Sequence, residues 1–270
     1  MQIKYKLNEG VGGAMVDLHS HLIWAIDDGS KSREMTINML RQAVEGGTKK
    51  LVLTPHYMPG HYEVPNIKVK ERRKDIELLV KELDLDLEIY CGQEVYFNEK
   101  ILDNFEHKLI GTINDSRYML IEFNMRSFSI KEVTEILYEL QIKGIVPVIA
   151  HPERYIKFIK NPSLINEFVK EGFLFQLNIG SITGEFGKEV KKTAELFLKN
   201  KIYSFFGSDA HRDEKRNPNM VEGIEILKAI NKKYFNYLII SGEELLDNKE
   251  IKFMGNLIKE KKGLLGIFKR

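Results

Sequence analysis

The sequence predicts a single α/β domain built on a largely parallel sheet. Three observations carry that expectation: seven apolar runs of strand length, amphipathic stretches of helix length between them, and polar side chains gathered at the carboxyl ends of the runs. Strands that alternate with helices of this length form βαβ units. The runs are apolar throughout, as in strands covered on both faces. The pattern leaves open whether the sheet closes into a barrel or stays open. A chain of 270 residues fits one large α/β domain. No Pro/Gly/Ser linker, low-complexity segment or fixed-period repeat divides it. The domain is expected over residues 15–250, after an extension at 1–14 and before a basic tail at 251–270.

The elements follow in order. "MVDLHSH" (15–21) is the first strand run, and the pattern from Arg33 to Glu45 supplies the helix behind it. "KLVLTPH" (50–56) precedes a helix over Lys70–Leu83, and "LEIYCGQEV" (87–95) and "YMLIEF" (118–123) precede one over Ile130–Lys143. "IVPVIAH" (145–151), "FLFQLN" (173–178) and "IYSFFGSDAH" (202–211) complete the strands, with helices at Pro162–Lys170, Lys188–Lys199 and Pro218–Ile230. The opening "MQIKYKLNEGVGGA" reads as a dispensable extension from an upstream start, or as an added edge strand at "QIKYKL".

Composition excludes several classes. Residues are 43% hydrophobic, enough for a sizeable core, and no apolar run approaches the roughly 18 residues of a membrane span. The first residues lack the apolar stretch of a signal peptide. A net charge of +2, spread along the chain, gives no footprint for nucleic acid. The single Cys91 rules out an internal disulfide framework and fits a reducing compartment such as the cytoplasm.

The strand ends hold the chemistry. His19 and His21 end the first run, His56 the second, Glu94 the third and Glu122 the fourth. His151 ends the fifth, with Arg154 just beyond, and Asp209 and His211 end the seventh. Active sites of parallel α/β folds sit at these carboxyl ends. Residues two apart on a strand point the same way, so His19 can share an ion with His21, and Asp209 with His211. One strand-end histidine alone is most often a hydrogen-bonded structural residue. Five of the seven histidines at strand ends, with three carboxylates, point instead to metal. Imidazole and carboxylate donors without thiolate suit zinc, manganese, iron or similar ions. Asp28 brings the candidates to nine, too many for one ion, so two or three are expected.

Taken together, "DLHSH", "TPH", the isolated glutamates, "HPER" and "SDAH" resemble the PHP superfamily, named for polymerase and histidinol phosphatase, from about Val16 to Ile230. Within it, "HSHLIWAIDDGS", "TPHY", "GQEVYF" and "IAHPERY" are most similar to the bacterial metal-dependent tyrosine-protein phosphatases of capsular and exopolysaccharide synthesis. The resemblance implies a distorted seven-stranded (β/α)7 TIM-like barrel and a trinuclear centre, commonly manganese, with iron, zinc or magnesium as alternatives. It implies one ion held by His19, His21, Glu94 and Asp209, a second by Glu94, Glu122 and His151, and a third by Asp28, His56 and His211. The implied substrate is a phosphotyrosine protein, the tyrosine-rich tail of a membrane-associated autokinase.

Clustered divalent ions lower the pKa of a bridging water and neutralise phosphoryl oxygens, so direct attack of a metal-bridging hydroxide on phosphorus is expected. A cysteine mechanism is disfavoured, because it needs Arg six residues after the Cys, where this chain has Phe97. Arg154 and Arg216 are the phosphate-clamp candidates, since guanidinium offers two parallel donors. Asp209 or His211 is the candidate for proton transfer to the leaving phenolate. Trp24 and Tyr57 are candidates to line the mouth; His61 and His107 read as surface residues. Lysines mixed with Leu264, Leu265, Ile267 and Phe268 make membrane-surface contact by the tail a secondary reading. The rivals are a small-molecule phosphoesterase such as a histidinol-phosphate phosphatase, and a non-catalytic metal-stabilised regulator that binds a kinase.

Overall fold

The structure, a computed structural model, describes residues 13–260. The expected extra strand at "QIKYKL" and the apolar residues of the tail's end lie outside them. Ten strands form two sheets: β1 (Val16–Ser20), β2 (Lys50–Leu53), β3 (His56–Met58), β4 (Tyr62–Glu63), β5 (Glu88–Cys91), β6 (Glu94–Tyr96), β7 (Tyr118–Glu122), β8 (Val146–Ala150), β9 (Leu174–Asn178) and β10 (Phe205–Gly207). One sheet runs β1-β2-β5 and the other β10-β9-β8-β7-β6-β3-β4. Every pairing is parallel except β3 with β4.

The two expected runs at 50–56 and 87–95 each appear as a pair of short strands, β2 with β3 and β5 with β6. Pro55 lacks an N–H and breaks the first; Gly92 and Gln93 break the second. Single hydrogen bonds bridge the breaks. Gly92 N–H donates to the Leu53 carbonyl at 2.9 Å and Glu94 N–H to the Pro55 carbonyl at 3.1 Å. On the far side, Ser20 forms a parallel bridge with Ala210, and Asp209 N–H donates to the His19 carbonyl at 2.7 Å.

The helices are α1 (Arg33–Glu45), α2 (Asn66–Glu82), α3 (Ile101–Glu106), α4 (Ile130–Ile142), α5 (Ile156–Lys160), α6 (Ile165–Lys170), α7 (Ile179–Thr183), α8 (Lys188–Lys199) and α9 (Val221–Leu246). Ser32 and Ser129 cap α1 and α4 by accepting from Met35 N–H and Glu132 N–H. The last helix runs sixteen residues past the expected Ile230 to Leu246. Asn231 leaves the helical region at φ −163°, and its side chain accepts from Tyr234 N–H at 3.0 Å, restarting the helix. Seven strand runs were expected; the seventh is shorter than 202–211, because Asp209 takes a left-handed conformation at φ 52°. The start of the expected tail packs on the body. Ile251 and Ile258 are buried, and Ile258 exchanges two hydrogen bonds with the Asn166 side chain, both 2.9 Å.

Among the described residues, three buried clusters surround the strands, one of them made by Val16, Leu18, Val52, Leu120, Val148 and Phe205 of the strands themselves. Aromatics Phe123, Tyr155, Phe158, Phe168, Phe175 and Phe197 belong to the largest one, beneath α4 to α9. The third packs α1 and α2 against β2 and β5. Strand β10 approaches β1 so closely that a methyl group at Gly207 would lie 2.7 Å from His19 Cβ and 2.8 Å from His19 N. Gly207→Ala should therefore push His19 out of place, costing about 2 kcal/mol and lowering Tm by about 4–8 °C in a melting experiment.

Candidate metal centre

The nine expected ligand residues converge on one end of the sheets: His19 on β1, His21 and Asp28 after it, His56 and Glu94 at the starts of β3 and β6, Glu122 at the end of β7, His151 after β8, and Asp209 and His211 after β10. All but His151 enter close groups. Their candidate donor atoms fall into three overlapping groups, each within 4.8 Å: His19, His21, Glu94 and Asp209; His21, Asp28, His56 and His211; and His56, Glu94 and Glu122. The grouping differs from the implied one in adding His21 to the set of Asp28, His56 and His211, and in putting His56 where His151 was implied beside Glu94 and Glu122. His151 Nε2 still lies 3.0 Å from Glu94 Oε1 and 3.7 Å from Glu122 Oε1.

Glu94 is the hub. Its Oε2 lies 3.1 Å from His19 Nε2, 3.2 Å from His21 Nε2 and 3.1 Å from His56 Nδ1. Ligand atoms about 2.1 Å from an ion lie about 3–3.5 Å apart, so these separations suit coordination. His19 Nε2 and His21 Nε2 face each other at 3.1 Å, which two lone pairs tolerate only with a cation or proton between them. Asp28 Oδ1 and His56 Nδ1 are buried with no hydrogen-bond partner among the described residues. Orphaned acceptors beside converging imidazoles fit divalent metal.

The electrostatics show how strongly the clustered groups act on one another. Burial opposes ionisation of Glu94, but His19 and His56 outweigh it and hold its carboxyl well below the usual range. Burial and the Glu94 charge push Glu122 well above it. Burial, then the Arg154 charge, lowers His151 to about 4, leaving it neutral and able to donate a lone pair.

A second ring of residues sets the ligands' orientation. The strand alternation carried no sign of it. Asp27 Oδ2 takes His21 Nδ1 at 2.7 Å and accepts from His56 N–H at 2.9 Å, fixing one ring and the next strand together. Against burial, the Asp27 charge raises His21 well above the ordinary imidazole range. Gln176 Oε1 holds His19 Nδ1 at 3.0 Å. Asp17 Oδ1 accepts from Ser208 N–H at 2.8 Å, tying β1 to the Asp209 turn. The doubled aspartate in "IDDGS" and the aspartate two before His19 were the available signals. His151 (φ 32°), Asp209 (φ 52°) and Arg216 (φ 53°) all occupy the left-handed region, a strain that clusters at functional sites.

Asp209 splits its carboxylate between two tasks. Oδ1 faces His19 and His21 at 3.6 Å and His211 at 3.4 Å. Oδ2 takes Arg154 Nη1 at 2.7 Å, Arg216 Nη2 at 2.8 Å and the Asn178 amide at 2.8 Å. Burial opposes its charge, yet His19 and Arg216 hold the carboxyl far below the usual range. Phe186 lies under both arginines, 4.4 Å and 5.7 Å from ring centre to guanidinium carbon, a contact that sequence reasoning did not find.

Asp28, His56, Glu94, Glu122, His151, Asp209 and His211, with Arg154 and Arg216, line a cleft of about 540 Å³ that Tyr96, Asn124 and Arg126 also border. Tyr57 is not in the cleft but buried in the core, and Trp24 is covered by Arg72 at 4.2 Å. Alternation explains the first correction: with His56 facing the centre, its neighbour on β3 must face away. His61 and His107 are exposed, as expected, and Cys91 is buried.

Residues 15–246 match the family model described as "Capsular polysaccharide synthesis, CpsB/CapC". The chain is 36% identical over 225 residues to the tyrosine-protein phosphatase CpsB of Streptococcus pneumoniae, covering 82% of this chain and 91% of that one. It is 33% identical over 233 residues to the tyrosine-protein phosphatase YwqE of Bacillus subtilis, covering 86% and 91%. A solved structure from work on YwqE and CpsB, described there as unique metal-dependent tyrosine phosphatases, superposes with a TM-score of 0.85 at 31% identity, covering 91% of this chain and all of that one.

Carboxylates that orient a ligating histidine tune the metal's affinity. Asp27→Asn should weaken Mn2+ binding about 10–100-fold, read as a shift of the concentration at which Mn2+ raises Tm. An unchanged midpoint would mean that His21 is oriented without it.

Proposed function

The chain belongs to the CpsB/CapC family of capsular polysaccharide synthesis, and from that premise we infer that it is a metal-dependent tyrosine-protein phosphatase, a phosphoric monoester hydrolase. One observation carries the reading at the level of chemistry: a buried cluster suited to divalent metal borders a cleft whose wall presents two guanidinium groups. Positive charge on two sides of one recess suits a phosphoryl dianion.

The ligands we propose are His19, His21, Asp28, His56, Glu94, Glu122, His151, Asp209 and His211, with two or three ions and manganese first among the candidates. Bound divalent ions would supply an acidified water and neutralise charge on the phosphoryl oxygens. Arg154 and Arg216 clamp the phosphate's remaining oxygens. Both are pre-aimed by Asp209 and by the Phe186 face, so little side-chain freedom is lost on binding. Asp209 acts as a link between arginines and ligands, because its cationic partners keep it from holding a proton.

For architecture we propose a distorted seven-stranded barrel. The hydrogen bonds across both strand breaks and the Ser20–Ala210 bridge support it. For the substrate we propose the tyrosine-rich tail of a membrane-associated autokinase, and for the site of action the cytoplasm. The family's role in capsule synthesis and the buried free Cys91 favour these. No described helix is long and apolar enough to cross a membrane.

With Mn2+ the protein should release phosphate from a phosphotyrosyl peptide, lose that activity to a chelator, and regain it with added metal. Turnover of histidinol phosphate alone, or metal binding without turnover, would contradict the reading. Arg154→Ala should cut kcat/KM about 10²–10³-fold in steady-state assays while metal stoichiometry stays unchanged.

A further inference from the structure

A second cavity of about 510 Å³ opens beside the metal cleft. Phe97 and Phe128 form its apolar base, and Asn98, Ser127, Ser129 and Glu132 stand among its polar residues. Its walls come from the segments that follow β3, β6 and β7, so it opens on the same carboxyl-end face as the metal centre. Tyr96 and Asn124 line both cavities and form the ridge between them. Among the described residues, neither the ligand cluster nor the arginines reach into it.

We propose that this groove is a subsite for the substrate polypeptide, seating a large apolar side chain close in sequence to the phosphotyrosine. The proposal rests on the tyrosine-phosphatase reading. Continuity argues for this occupant: Tyr96 and Asn124 line both cavities, so a chain whose phosphotyrosine sits in the cleft has the groove directly beside it. The arginines follow β8 and β10, while the groove follows β6 and β7. A phosphate held by the arginines therefore leaves the flanking chain free to run across the β7 and β6 ends.

The groove's chemistry agrees. Its size and its mix of aromatic base and polar rim suit a side chain with hydrogen-bonding backbone on either side. The base is rigid, because Phe128 packs on Phe123 at 4.8 Å between ring centres and Phe97 meets Phe123 edge-on at 5.7 Å. A pre-formed pocket takes an apolar group without an ordering cost. Glu99 and Glu132 outweigh Lys100 in the lining, a net negative charge that disfavours a second phosphate there.

The test uses the Mn2+-loaded full chain and three substrates: free phosphotyrosine, a phosphotyrosyl peptide with leucine at the flanking positions, and the same peptide with serine there. The leucine peptide should exceed the serine peptide about tenfold in kcat/KM. Ser127→Trp, an exposed loop position that blocks the groove, should erase that preference. Phe97→Ala should reduce it by a second route. The rate on free phosphotyrosine in each variant reports whether the fold and metal centre survive. Equal rates on both peptides, or a preference that both variants retain, would overturn the subsite while leaving the phosphatase reading intact. No turnover of any phosphotyrosyl substrate by the wild type would overturn both.

Discussion

The constraint on which the rest depends is the burial of one carboxylate, Glu94, among four imidazoles. A buried charge is tolerated only when paired and hydrogen-bonded. Here the partners come from β1, β3 and the end of β8, elements far apart in sequence. The centre therefore requires those strand ends to be held within a few ångströms. The breaks at Pro55 and Gly92, the bare Gly207 beside His19, and the left-handed turns at His151 and Asp209 all answer that demand. In other settings each would weaken a sheet.

Asp209 extends the same logic from metal to substrate. One oxygen faces the histidines of the cluster and the other carries both arginines, so in the proposed mechanism the charge offered to phosphate is anchored to the metal cluster. Glu153 contributes from behind. It is buried between Ser181, Asn178 and Tyr203, accepting from all three, and burial pushes its carboxyl up to about 7. That network fixes the turn that presents Arg154. The strain at His151, Asp209 and Arg216 is thus supported by hydrogen bonds on either side.

The sequence made much of this legible. Apolar runs announced the strands because both faces are covered, and the strand-end histidines announced the centre because a parallel sheet directs its carboxyl ends to one side. What stayed hidden depended on three-dimensional partners. Asp27 reads as one of two adjacent aspartates, and only the fold distinguishes the one that orients His21 from the one beside His56 and His211. Gln176 and Phe186 carry no motif at all. The second half of α9 was missed because Asn231 interrupts the helical pattern, and its capping role appears only once Tyr234 is in place. Tyr57 faces the core because it alternates with His56 along β3.

The most direct test of the central claim is the number of metal ions bound per chain, measured by elemental analysis of Mn2+-loaded wild type and Glu94→Gln. The wild type should hold about two or three ions. The variant should lose ions clearly, because an amide cannot bridge cations as a carboxylate does. Full retention of the wild-type count by Glu94→Gln, in a protein with unchanged folding, would contradict the claim.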